Sequence, residues 1–320
     1  MVNNKTPSTK GLVLERLRSL AGEPISGETL AASLGVSRVA VWKAAASLRE
    51  AGYAVESSEA GYRLDPASGE DFLYPWEFGE REPRFRHYGE TSSTMDRARE
   101  LTERGAPPFT VVVAERQSAG RGRAGRLWES EDGGLFFTLT LAGGTPLLRY
   151  ARVSAAAQLA VAAAVHRTTG ISAQPRWPND IYAGDRKLAG ALVELEAEGD
   201  RTRRMAVGVG INANNRPRGD GKTALAVLTG SPVSRRKILE AFLEAFEPVD
   251  PFAAEVTDRW NACAFGVGAR AAMIDAGHGA EDGQVVGTGF FRGMDELGRA
   301  VLETDRGLLH LEAGSASLRF

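Results

Sequence analysis

The sequence predicts an α/β protein in three parts, and three observations predict it. Residues 11–64 hold three short helical runs broken by Gly22 and Gly35, then two short β-prone runs. Residues 84–265 alternate helical and strand patterns, as a mixed α/β layer fold does. Residues 268–320 carry short β segments with frequent glycine turns and no helical periodicity, as in a small β-barrel.

In the first part, Leu12, Leu14, Leu17 and Leu20 sit at near-helical spacing until Gly22 breaks the run. Ser26 and Thr29 offer caps to a second helix that reaches Leu34. Gly35 makes a tight turn, and Ser37 caps a third helix through about Ala51. Tyr53–Ser57 and Gly61–Leu64 read as strands around the turn Glu59-Ala60-Gly61. Three helices and a hairpin, with a glycine turn joining the second pair, describe a winged helix-turn-helix over residues 1–64. Its third helix exposes Ser37, Arg38 and Lys43, which suit the phosphates and base edges of DNA. A small helical adaptor is the competing reading.

Residues 65–83 contain Pro66, Pro75 and Pro83 and read as a linker with one short helix near Phe72–Phe78. The central domain, 84–265, opens with a helix at Ser93–Arg104 and strands near 109–115 and 134–141. An alanine-rich helix follows at Tyr150–Thr169, then several strands between Ala173 and Ile211. Helices at Ser234–Phe246 and Phe252–Cys263 close it, and residues 268–320 form the third domain.

Composition bounds the function. Of 320 residues, 43% are hydrophobic and 25% charged, enough to bury a sizeable core. The net charge of −2 hides an asymmetry: residues 1–64 carry eight Lys/Arg against six Asp/Glu, and the remainder 31 against 35. Cys263 is the single cysteine, which excludes an internal disulfide and fits a reducing cytoplasm. Four scattered histidines and that cysteine give no metal cluster. No apolar run has the length of a bilayer span, and residues 1–9 lack the centre of a signal peptide, so no membrane partner is expected.

The chemistry concentrates in four motifs. In Gln117-Ser118-Ala119-Gly120-Arg121-Gly122-Arg123-Ala124-Gly125-Arg126, glycine permits close backbone approach and arginine offers a fork that fits carboxylate or phosphate. The loop is wedged between apolar strands, which favours a ligand site over a solvated arginine-glycine tail. In Arg176-Trp177-Pro178-Asn179-Asp180, proline fixes the bend and Asn179 offers a donor and an acceptor to a purine edge. Gly184-Asp185 turns a hairpin that sets Lys187 beside Asn179 and Asp180, where it is either a phosphate contact or a plain edge-strand lysine. Gly208-Val209-Gly210-Ile211-Asn212-Ala213 imitates a dinucleotide fingerprint, but Pro217 and its polar neighbours bar the required helix. Gly221-Lys222-Thr223 imitates a P-loop ending, but Arg216 stands where its earlier glycine belongs.

In this order and spacing, the four motifs resemble the biotin protein ligase family, and the winged helix resembles its bifunctional members, which are also biotin operon repressors. The resemblance runs from about Leu12 to Arg319. It implies a class II synthetase-like central domain and an SH3-like C-terminal barrel. It implies that biotin and MgATP give biotinyl-5′-AMP, and that biotin then passes to a lysine of a biotin carboxyl carrier protein. It also implies operator DNA as a partner and a homodimer when adenylate is bound.

By resemblance, Arg121, Gly122 and Arg123 surround the biotin carboxyl and the adenylate phosphate, with Arg126 ordering the loop and Lys187 at the bridging oxygen. Ser93, Thr94, Met95, Gln117 and Gly190 contact biotin; Asn179 and Asn212 contact adenine; Trp128 closes over the ligand; Arg292 lies near the nucleotide; Asp180 orients the incoming lysine. Three positions depart from the pattern. Arg176 replaces a lysine, Met95 replaces an asparagine, and the loop after Asn212 lacks an aromatic that stacks on adenine in some members. A lipoate-type ligase of related fold is the alternative.

Overall fold

A computed structural model of the chain describes residues 7–69, 71–144, 150–275, 285–313 and 316–320. The chain divides into two compact units, Met1–His87 with Ser234–Arg236, and Tyr88–Val233 with Lys237–Phe320.

The first unit holds α1 (Thr9–Ser19), α2 (Gly27–Leu34) and α3 (Arg38–Glu50). Each helix begins after a serine, Ser8, Ser26 or Ser37, whose hydroxyl accepts a backbone N–H of the first turn. Gly35 ends α2 at a φ of 64°, which lets α3 turn away. Strands β1 (Val55–Ser58) and β2 (Gly61–Leu64) pair antiparallel as the wing. Gly61 has a φ of +115°, and a Cβ there would lie 2.1 Å from the Ile25 carbonyl oxygen, so the hairpin requires glycine. Leu14, Leu17, Leu30, Val41, Leu48 and Leu64 form the core. The segment after the wing buries Leu73 and Phe78. A 3₁₀ turn at Pro75–Glu77 stands where a short helix was expected. The Glu77 carboxylate is fully buried and accepts hydrogen bonds from Arg18 and from the Tyr53 hydroxyl.

The second unit is built on a seven-stranded sheet. Its strands are β3 (Phe85–Thr91), β4 (Val111–Gln117), β5 (Leu135–Leu141), β6 (Gln174–Arg176), β7 (Asp180–Ala183), β8 (Arg186–Glu198) and β9 (Arg201–Ile211). Their order is β3-β4-β5-β9-β8-β7-β6, so β9 returns to the middle between β5 and β8. Central β5 is buried at every position. Helices α4 (Thr94–Glu103) and α5 (Tyr150–Thr169) pack on the sheet. The helix α6 (Leu225–Thr229) was not foreseen, while α7 (Arg235–Phe246) and α8 (Glu255–Cys263) fall on the expected segments.

The strands β10 (Arg270–Asp275), β11 (Val285–Met294), β12 (Ala300–Thr304), β13 (Gly307–Leu311) and β14 (Ala316–Arg319) form an antiparallel sheet ordered β13-β12-β11-β10-β14. The expected barrel does not close among the described residues. Among the described strands, β13 stands at the edge beside β12 and leaves its first four residues exposed.

Candidate active site

The site lies on the sheet face where β5, β9 and β8 run side by side. Gly210 pairs with Phe136 on one side and Gly190 on the other, and Gly208 pairs with Thr138 and Leu192. A side chain on any of these glycines would crowd a neighbour. A Cβ on Gly208 would lie 2.7 Å from the Met95 sulfur, and one on Gly210 would lie 2.5 Å from the Trp128 indole. One on Gly190 would lie 3.1 Å from the same indole. Glycine in strand interiors marks close approach of another group, here Trp128 and Met95. Among the described residues, the buried indole Nε1–H of Trp128 has no partner.

At one side of this floor, the start of α4 meets the end of β4. Ser93 caps α4 through the Met95 N–H. The Gln117 Oε1 accepts from the Thr94 N–H at 2.8 Å and from the Thr94 hydroxyl at 3.1 Å. Thr138 donates to that hydroxyl at 2.9 Å, and Gln117 Nε2 donates to Ser130 at 2.8 Å. The network fixes the Gln117 amide and leaves it one N–H to spare.

The arginine-glycine loop folds back on itself. Gly122 N–H donates to the Arg126 carbonyl, Trp128 N–H to Gly120, and Gln117 bridges to Ser130. Gly120 is required, since a Cβ there would meet Ser130 Oγ and the Trp128 carbonyl at 2.6 Å. Arg121 reaches Asp96 on α4 at 2.9 Å and Glu194 on β8 at 3.2 Å. Burial pulls its pKa down, but the hydrogen bonds it donates to these carboxylates raise it above its ordinary value. Arg123 is the contrast. Its guanidinium makes no hydrogen bond or ion pair among the described residues, and burial lowers its pKa against the pull of the Asp180 charge. Arg126 is exposed.

Lys187 Nζ lies 2.6 Å from Asp180 and 5.2 Å from the Trp128 ring centroid. The hairpin β7–β8 makes this pairing, with Tyr182 opposite Lys187 and Asp180 opposite Gly190. The Asn179 carbonyl accepts from Ala191 N–H. Asn212 is buried, its Oδ1 taken by Asn215 Nδ2 at 3.1 Å, and the buried Thr223 hydroxyl has no partner among the described residues. Arg292 pairs with Glu303 on the next strand, at 2.5 Å, and shares no hydrogen bond or ion pair with the cluster among the described residues. In the first unit, Ser37 spends its hydroxyl on the α3 cap, while Arg38 and Lys43 stand exposed.

Arg176 has its own surroundings. Its guanidinium sits 4.4 Å from the Tyr182 ring centroid, 5.1 Å from that of Phe265 and 5.2 Å from that of Phe320. A planar cation fits such a box better than an ammonium does, which accounts for arginine here.

Sequence reasoning missed Asp96, Glu194, Gly208 and Gly210 as site residues. Strand periodicity held a clue, since Gly190 and Glu194 lie on one face of β8.

Residues 89–212 match the sequence profile of the Biotin/lipoate A/B protein ligase family, and residues 12–63 match that of an HTH domain. The chain is 32% identical to the bifunctional ligase/repressor BirA of Bacillus subtilis, over 96% of this chain and 97% of that protein. It is 30% identical to the biotin–[acetyl-CoA-carboxylase] ligase of Paracoccus denitrificans, over 68% of this chain and 93% of the relative. Among solved structures, it is similar to the biotin protein ligase of Aquifex aeolicus in complex with biotin and ATP. That likeness has a TM-score of 0.59 and 28% identity, and covers 73% of this chain and 98% of the other.

Proposed function

The chain belongs to the biotin/lipoate A/B protein ligase family, and from that premise we propose that it is a biotin protein ligase and a biotin-responsive repressor in one chain. Biotin and MgATP are its substrates. A biotin carboxylate oxygen bonds to the α-phosphorus, and the bond to the β-phosphate breaks, giving biotinyl-5′-AMP and pyrophosphate. Two anions approach in that step, so cations must already be fixed around them. The carrying observation is the half-buried, unpaired Arg123 guanidinium beside the Lys187–Asp180 pair.

Arg123 and Lys187 offset the charge on the carboxylate and the α-phosphate. Arg121, held by Asp96 and Glu194, keeps the loop on the ligand, with Gly122 and Arg126. Biotin lies against Met95, Ser93, Thr94 and Gln117, and the Trp128 indole, which covers Gly190 and Gly210 in the unliganded chain, moves off them to admit it. Asn179 and Asn212 take adenine, Arg292 lies at the nucleotide side, and Mg²⁺ enters on the ATP phosphates. In the second step, the ε-amine of the carrier lysine attacks the acyl carbon, AMP leaves and the amine loses a proton. Lys187 exchanges Asp180 for the phosphate when the anhydride forms, which frees the Asp180 carboxylate to orient that amine.

The carrier is the biotin carboxyl carrier domain of acetyl-CoA carboxylase. Ser37, Arg38 and Lys43 meet operator DNA, and the adenylate-bound chain dimerises so that two winged helices read two half-sites. The C-terminal sheet is the counterpart of an SH3-like barrel, and the protein acts in the cytoplasm; among the described residues no helix is long and apolar enough to cross a membrane.

Mass spectrometry of purified carrier domain, incubated with the chain, biotin and ATP, tests the ligase. One biotinyl group on a single lysine is expected. An unchanged carrier mass, or preferential transfer of lipoate in a competition, refutes it.

A further inference from the structure

Helix α3 completes its buried stripe with Val41, Ala44, Ala45 and Leu48. Val39 and Trp42 take no part in that stripe. They lie one turn apart on the other side of the helix, 61% and 57% exposed. Both border a groove of about 470 Å³ between α3 and the wing, lined also by Arg38, Ser57, Glu59 and Tyr62. An exposed indole costs solubility unless something covers it. The charges around it say what that is. Arg38 and Lys43 share the exposed side of α3 and make no ion pair among the described residues. Glu28 and Glu59, which also border the groove, repel phosphate but accept from the cytosine N4 amino group. Cations beside an apolar and carboxylate-lined centre fit base edges on the floor of a major groove flanked by backbone.

We propose that Val39 and Trp42 read thymine, by packing on the C5-methyl groups that only thymine presents in the major groove. The inference rests on the DNA-binding reading above and adds which bases the operator must contain. The two residues are three positions apart, about 4.5 Å along the helix axis. Base pairs repeat every ~3.4 Å. Each half-site therefore carries two thymines one or two base-pair steps apart, at a place contacted by the first half of α3.

The full chain, with biotin and ATP present, is used to enrich binding sites from a random duplex library. The selected site is then resynthesised with deoxyuridine replacing each thymidine in turn, which removes one methyl and keeps every hydrogen bond. Binding is expected to weaken about four-fold at each of two positions per half-site. Trp42→Ala is expected to abolish the sensitivity at one position and keep it at the other. Failure to enrich any site overturns the DNA-binding reading and the inference together. A selected site that binds equally well with uracil throughout, or that lacks paired thymines, overturns the inference alone and leaves Val39 and Trp42 to cover another copy of the chain. The uracil arm uses the unaltered protein, so misfolding of a variant cannot account for the result.

Discussion

Replacing Arg123 by methionine separates what the loop does for chemistry from what it does for stability. Arg123 is half-buried, its guanidinium makes no hydrogen bond or ion pair among the described residues, and burial already disfavours its charge. Methionine keeps much of the stem and removes only the guanidinium. The unliganded protein loses no hydrogen bond in the exchange, so its stability should stay within about 0.5 kcal/mol of wild type. Adenylate formation should fall about 10²–10³-fold, about 2.7–4 kcal/mol, because a fixed donor at a developing charge is lost. Lys187→Met gives the comparison. Lys187 and Asp180 are each about one-quarter exposed, and removing the lysine strands the carboxylate. It should slow adenylate formation to a similar degree and also cost about 1–3 kcal/mol of stability. Pyrophosphate release in a single turnover measures the first effect, and equilibrium urea unfolding the second. Equal loss of stability in both variants, or an unimpaired rate in Arg123→Met, would refute the assignment of Arg123 as a cation held ready for substrate.

Other outcomes follow from particular contacts. Gly210→Ala places a Cβ 2.5 Å from the Trp128 indole and should weaken biotin binding about 5–150-fold by titration calorimetry, the range for forced overpacking. Unchanged affinity would remove the glycine floor from the biotin site. Burial alone would raise the Asp295 pKa, but hydrogen bonds from Arg299, His310 and the Arg299 and Leu297 N–H groups hold it below its ordinary value. Its stabilising contribution is therefore complete above about pH 4 and lost as the pH falls through the depressed value. The stability gap between wild type and Asp295→Asn in urea titrations should close on acidification, and a gap that widens refutes the sign. Glu77→Ala removes a fully buried carboxylate from Arg18 and Tyr53 and should cost about 3–5 kcal/mol, read from melting of the winged-helix unit. A cost below about 1 kcal/mol would mean that water replaces it freely.

What the sequence reveals here depends on the range of the interaction. The boundaries of α5 match the expected Tyr150–Thr169, because an alanine run ending at Gly170 carries the signal locally. The serines expected to cap α2 and α3 do so, since a cap needs only its own first turn. The turn Gly184-Asp185 sets Lys187 opposite Tyr182, and Lys187 lies beside Asp180 as expected, although a bulge between Ile181 and Tyr182 that no turn rule gives shifts Asp180 opposite Gly190. Contacts formed across the sheet were not legible in this way. Arg121 meets carboxylates 25 and 73 residues away, and no spacing rule joins them.

Gly208 and Gly210 show the difference most clearly. Along the sequence they suggest a failed dinucleotide fingerprint, because the helix that gives such a motif its meaning is missing. Once β9 lies between β5 and β8, they stand beside Gly190 and make an open floor for Met95 and Trp128. Trp128 lies beside Lys187 and over this floor. Barrel closure fails to be legible for the same reason: strand count and glycine turns are local, whereas the pairing of the first edge with the last is not. The motifs are therefore readable from the chain, while the partner each of their side chains holds is set by strand order. That partner decides the contrast between Arg123 and Lys187, so the contrast in stability between their variants tests the strand order as directly as it tests the chemistry.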